Sequence, residues 1–209
     1  VHNNRVERTD PNGEGVRGIW VPSRADTSII GNSLADIGHT GIAFEGDGCE
    51  IRGNIIRNIK AHGAGMKIHY RVVRQSKEPR ATRPLLVTEN VVDGSVNSGI
   101  MLESCAVDGI DIVKNEFKNC GKQGTSFGAI YSSSNATNVV FRENKLDNCR
   151  SIAGLIYMNG CRFENNQVVN GPPHVNLEKN CTDVRLTNSG AANVGPGCSN
   201  IWVDGRQVA

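Results

Sequence analysis

The chain has 209 residues, of which 38% are hydrophobic and only 5% aromatic, with a formal net charge of +2. That length suits one large domain or part of a longer protein. The small charge and the lack of a basic stripe argue against a nucleic-acid partner, and no apolar run approaches the roughly 18 residues of a membrane span.

Asn occurs 23 times and Gly 24 times, so turns should be frequent. In chain order, an Asn flanked by apolar residues recurs as VHNNRV (Asn4), IIGNSL (Asn32), IRGNII (Asn54), VTENVV (Asn90), IVKNEF (Asn115), FRENKL (Asn144), FENNQV (Asn166) and RLTNSG (Asn188). The spacings are 28, 22, 36, 25, 29, 22 and 22, a minimum period with insertions. Four residues after the Asn stands Asp36, Asn58, Asn119, Asn148 or Asn170, residue types that tolerate a left-handed backbone. A Gly-led run follows: GIWV, GIAF, GMKI, GIML, GAIY or GLIY. Three short alternating runs per repeat predict three strands per coil. A unit that cannot bury its own apolar face must stack on its neighbours, which predicts a parallel β-solenoid with an Asn ladder at one turn.

Three segments interrupt the period: 7–15, 70–84 and 121–127. The middle one, YRVVRQSKEPRATRP, is a basic loop insertion, and long insertions in solenoids gather on the binding face. Both ends read as interior coil. VHNNRV starts on the ladder register and SNIWVDGRQV still reads as strand, so an uncapped piece of a longer protein is expected. The seven cysteines show no CxxC or Cys/His metal spacing. Cys120 and Cys149 occupy equivalent places in successive repeats, where stacking could bring two sulfurs into disulfide range, but buried free thiols are the expected state.

With these motifs the chain resembles the right-handed parallel β-helix superfamily of pectate lyases, carbohydrate epimerases and phage tailspikes, over about its whole length. The resemblance implies the handedness, giving an all-β, single-stranded right-handed parallel β-helix of about eight or nine coils over residues 1–209. It also implies polysaccharide as partner, an extracellular or virion-surface location, and a homotrimer as in tailspikes. The family's site motifs are missing. There is no calcium-binding Asp run and no DPHE motif, and the nearest Asp pair, Asp108 and Asp111, is expected on another strand and a turn. No cofactor is implied, though a divalent metal such as calcium is compatible with the sequence.

Strand alternation then selects candidate site residues. On the Gly-led strands Ile19/Val21, Ile42/Phe44, Met66/Ile68, Ile100/Leu102 and Val175/Leu177 should point inward. Outward should go Trp20, Ala43, Lys67, Met101, Ile130, Ile156 and Asn176, and beside them Pro22, Glu45, His69, Glu103, Ser132, Met158 and Glu178. Glu45, His69 and Glu103 would align on three successive coils, the carboxylates about 9–10 Å apart at about 4.8 Å per step. Inverting glycosidases hold their two carboxylates about 6.5–9.5 Å apart. The expected catalytic set is therefore Glu45, Glu103 and His69, the last as an imidazolium favoured by two carboxylates or as an orienting group. Lys67, Tyr70, Arg71, Arg74 and Trp20 are the expected substrate contacts, the arginines through paired hydrogen bonds to acidic sugars. An ordinary cross-strand charge ladder is the competing reading of Glu45–His69–Glu103. Glu89, Lys114 and Glu143 should form a salt-bridge stripe. Met101, Ile130, Ile156 and Met158 would make an apolar outward strip suited to a subunit contact. The functional expectation is a carbohydrate-active β-helix, a hydrolase or lyase of an extended acidic polysaccharide. The alternative is a non-catalytic structural or receptor-binding segment.

Overall fold

The computed structural model describes residues 1–9, 16–22, 27–45, 49–60, 63–69, 85–103, 108–122, 127–133 and 135–209, and among these the regular structure is all strand. The basic insertion at 70–84 lies outside the described residues, and with it Tyr70, Arg71 and Arg74.

The strands form three parallel sheets that each turn of the chain visits in sequence. The first sheet follows the ladder Asn, with strands such as Ser33–Ile37, Ile55–Ile59 and Val91–Ser95. The second holds the Gly-led strands, among them Arg17–Val21, Thr40–Glu45, Met66–His69, Ile100–Glu103, Ile130–Ser132, Ala153–Ile156 and His174–Lys179. The third precedes the next ladder Asn, as in Glu50–Arg52, Leu85–Thr88 and Thr137–Arg142. Such strands are too short to stand alone, and stacking gives each one partners above and below.

The Asn ladder forms, and it shows why Asn is the residue used. The Nδ2 group of Asn54 donates to Asn90 Oδ1 at 2.9 Å and to the Ile29 carbonyl at 2.8 Å. Its backbone N–H donates to the same Asn90 Oδ1 at 2.9 Å, while its own Oδ1 accepts from the N–H and Nδ2 of Asn32. A buried amide with donors and acceptor all used is stabilising, whereas a half-used one would be costly. The residue before each ladder Asn is left-handed: Asn3, Gly31, Gly53, Glu89, Lys114, Glu143 and Asn165 all have positive φ. The ladder runs from Asn4 to Asn166 and then ends on a hydroxyl, because Asn166 donates to Ser189 Oγ at 3.1 Å. Asn188, expected as the last rung, instead occupies the left-handed position before it, φ 46°, and donates to Asn165.

A second set of Asx residues stacks at the next corner. Asp36, Asn58, Asn119 and Asn148 have φ between 52° and 55°, as their residue types suggested. Asn119 Nδ2 donates to Asp93 at 2.8 Å and Asn148 Nδ2 to Asn119 at 2.7 Å. The Gly-led corner has a different cause. A Cβ at Gly41 would lie 2.5 Å from the Gly65 carbonyl oxygen and 2.6 Å from Ile56 Cγ2, so the coils leave no room for one.

Inside runs a column of Ile, Leu, Val and Phe, with Phe117, Phe141 and Phe163 stacked at centroid separations of 5.9 and 5.7 Å. Cys49, Cys120, Cys149, Cys161 and Cys181 are free and buried, and Cys198 is free and half-buried, so the thiols fill the core as expected. Burial pushes Cys49 and Cys161 up to about 12. Cys105 is outside the described residues. The segment 199–208, expected as continuing strand, is a hairpin. Ser199–Val203 turns at Asp204 and Gly205, with φ of 47° and 78°, and Arg206–Gln207 returns antiparallel against it. Two positive φ values match the Asp-Gly turn that fits the twist of paired strands.

Candidate functional site

The outer face of the second sheet brings the expected cluster together. Glu45 pairs in register with His69, and His69 with Glu103, while Ala43, Lys67 and Met101 form the adjacent row. Two steps of about 4.8 Å separate the backbones of Glu45 and Glu103. Lys67 Nζ makes an ion pair with Glu103, whose Oε2 also lies 3.8 Å from His69 Nε2. That distance is too long for a hydrogen bond. The Nε2 atom is buried with no hydrogen-bond partner among the described residues, a state that calls for an explanation in a folded protein. Glu45 makes no ion pair among the described residues.

The protonation of His69 is opposite to the sequence expectation. Burial and then the Lys67 ammonium lower its pKa from the ordinary imidazole value, and Arg17 adds to this. Glu103 and Glu45 pull the other way and are outweighed. His69 is therefore disposed to be a neutral imidazole rather than an acid. The reason is desolvation on a crowded sheet face, which a row of residue types does not reveal.

Trp20 is 55% exposed at the edge of the same face, in register with Ala43, and the Arg17 guanidinium stacks on its ring at 4.8 Å. Ala43, between Trp20 and Lys67 in the row, has no exposed surface and is covered by its neighbours.

The C-terminal half of the face differs from expectation. Ile130 pairs with Ile100 and points into the core, Ser132 is buried, and Tyr131 takes the outward position beside Met101. Here Ala129, not Gly128, stands at the tight corner: its carbonyl accepts from the Ile100 N–H at 2.8 Å, so GAIY is offset by one residue from GIML. Gly154 lies in the Tyr131 row. Beyond it the register shifts between Leu155 and Ile156, Tyr157 is left-handed at φ 57°, and Met158 turns into the core. With Ile130 and Met158 inside and Met101 covered, the apolar outward strip is not formed.

Tyr131 is a residue the sequence reading missed. Burial raises its phenol pKa, with the charges of Glu178 and Glu103 adding, against a hydrogen bond with Ser133. Phe127 packs on its ring edge at 4.7 Å. Of the salt-bridge stripe, Lys114 and Glu143 do pair, at 3.7 Å. Asp111 lies on the third sheet, on Asp108–Val113, away from this face. Among the described residues no group of three or more His, Cys, Asp or Glu side chains could hold a metal ion. Nor is any helix among them long and apolar enough to cross a membrane.

No curated protein matches the sequence. A solved structure with which the chain can be superposed is a trypsin-treated variant of QnrB1, a plasmid-mediated fluoroquinolone resistance protein, at 13% identity. That match covers 98% of this chain and 92% of the other with a TM-score of 0.29, too low to carry an argument about function. The model of the right handed beta helix region matches residues 1–171. Three stacked parallel sheets, the continuous Asn ladder and this match agree: the chain belongs to the right-handed β-helix family.

Proposed function

We propose that the chain binds an extended acidic polysaccharide along the outer face of the second sheet and hydrolyses it at Glu45, His69 and Glu103. The observation that carries this reading is the His69 Nε2 atom, buried without a hydrogen-bond partner among the described residues on the strand between those of Glu45 and Glu103. Burying a polar atom unpaired costs free energy, which a substrate hydroxyl or a water could restore by hydrogen bonding. In this reading Glu103, ion-paired with Lys67, activates a water, and Glu45, which makes no ion pair among the described residues, protonates the departing sugar oxygen. Neutral His69 would hold the water or the sugar between them. The exposed Trp20 ring offers an apolar face to a sugar, and Lys67 supplies positive charge for an acidic one. An enzyme of this kind acts on surface glycans, on a virion or outside a cell.

A second reading has its own observation. Lys67 closes on Glu103 much as Lys118 and Lys145 close on Glu116, at 3.1 and 3.3 Å, on the first sheet. On that view the cluster is one charge ladder among several, and the chain is a non-catalytic spacer or receptor-binding segment. The test is reducing-end release from a panel of acidic and neutral surface polysaccharides by wild type, Glu45→Gln and Glu103→Gln. Ultraviolet absorbance of unsaturated uronates is followed in parallel. Cleavage that both substitutions abolish, with circular dichroism unchanged, is the expected result. Cleavage untouched by either overturns the site, an absorbance rise replaces hydrolysis with elimination, and no cleavage of any glycan favours the non-catalytic reading.

A further inference from the structure

Beyond the cluster, an open cleft of about 670 Å³ lies where the corner after the first sheet meets the second sheet. It is lined by Lys122, Asn148, Arg150, His174 and Asn176, with Cys149 and the Gly171–Pro172 turn. Among the described residues no carboxylate lines it, in contrast to the mixed charges around His69. Lys122 and Arg150 both line it and make no ion pair among the described residues. Asn176 Oδ1 accepts from Asn193 Nδ2 at 2.8 Å, which fixes the amide and leaves its own Nδ2 available to donate. One wall is stiff. The His174 N–H donates to the Pro172 carbonyl at 3.0 Å, two prolines restrict the turn, and a Cβ at Gly171 would meet the Cys149 carbonyl oxygen at 2.6 Å.

Two cations, His174 and the Asn176 amide along one cleft, with no acid lining it among the described residues, form the complement of an anion. Asn176 shares the outward row of Lys67 through Met101, Tyr131 and Gly154, four steps or about 19 Å away. Met101, Tyr131 and Gly154 occupy the row between the two places. We propose that this cleft is an anion subsite, which takes a carboxylate or sulfate substituent of the glycan at a distance from the reacting bond. The assignment to a glycan rests on the function proposed above, while anion binding itself stands on the cleft alone.

The test is calorimetric titration of the full chain with polygalacturonate, dextran sulfate and neutral dextran. The variants are Lys122→Ala/Arg150→Ala and a charge-matched control on the third sheet, Arg162→Ala/Arg185→Ala. The expected result is binding of at least one polyanion, weakened about tenfold or more by the cleft substitutions and unchanged in the control. The polyanion retained by wild type tells carboxylate from sulfate. Equal weakening in both double variants would reduce the binding to net charge and overturn the subsite, as would wild-type affinity in the cleft variant or no binding of either polyanion. Should the cleft substitutions abolish binding while wild type cleaves no glycan of the panel, the subsite stands and the hydrolase reading falls.

Discussion

At the scale of single residues, the ladder asparagines and His69 answer to the same physics with opposite outcomes. Asn54 is buried with every hydrogen-bonding group used, so Asn54→Ala strands the Asn32 amide groups and the Ile29 carbonyl. We expect a loss of about 3 kcal/mol in chemical denaturation. Asn188→Ala, at an exposed left-handed turn where it also gives up its hydrogen bond to Asn165, should cost about 1 kcal/mol. Equal costs would show that the ladder is not what the buried amides contribute. His69 is buried with a group unused. Its folded-state pKa is lowered, so the unfolded chain binds the proton more readily. The stability His69 contributes is fully present above the unfolded value and is lost as pH falls below it toward the depressed folded value. His69→Gln should therefore lose less stability than wild type between neutral pH and the acid side of the ordinary histidine range. A parallel pH dependence in the two proteins would contradict the neutral imidazole.

At the scale of the elements, each corner of the coil has its own requirement, and these differ in how plainly they show in the sequence. The ladder corner needs a side-chain amide, which is why the period can be read from Asn alone down to Asn166. It also needs a left-handed residue just before, and Glu89, Lys114 and Glu143 fill that place without being Gly or Asn. Their charge is legible in the sequence and their backbone is not. The Gly-led corner needs only small size, so Ala129 can replace a glycine there, which displaces the frame by one residue at Tyr131. The left-handed Tyr157 and the register shift before it hide the inward turn of Met158 in the same way. Asp204-Gly205 is a hairpin signal, masked because the apolar alternation of SNIWV leads straight into it. Packing sets two expectations at this scale. Gly41→Ala, which drives a methyl against the Gly65 carbonyl, should cost about 2 kcal/mol. Phe141→Ala, which removes the middle ring of three, should cost about 3–5 kcal/mol. Denaturant midpoints at unchanged slope check both, and a cost under about 1 kcal/mol for Phe141→Ala would mean that the column collapses around the gap.

At the scale of the whole molecule, the solenoid makes function a matter of which face is used. One face of one sheet carries an exposed Trp20, then a mixed-charge cluster over two adjacent rows on successive coils, then Tyr131 and Gly154, and reaches the basic cleft at Asn176. Parallel register turns a list of distant residues into a linear track, and this is why Glu45, His69 and Glu103 can be aligned from the repeat alone. The cleft cannot be foreseen that way, because Lys122, Arg150 and His174 come from two corners whose proximity depends on how the coils are offset. Thiol chemistry at this scale should follow burial. At mildly alkaline pH Cys49 and Cys161 should resist alkylation in the native state and react once the chain is unfolded, as mass spectrometry of the labelled protein would show.

The most direct measurement is a crystal structure of the protein with an acidic oligosaccharide bound to the Glu45→Gln variant. Sugar density is expected along the outer face of the second sheet, with a ring near Trp20, a hydroxyl or water on His69 Nε2, and an acidic substituent at Lys67 or in the Lys122–Arg150 cleft. Density on the first or third sheet with this face bare would contradict that placement.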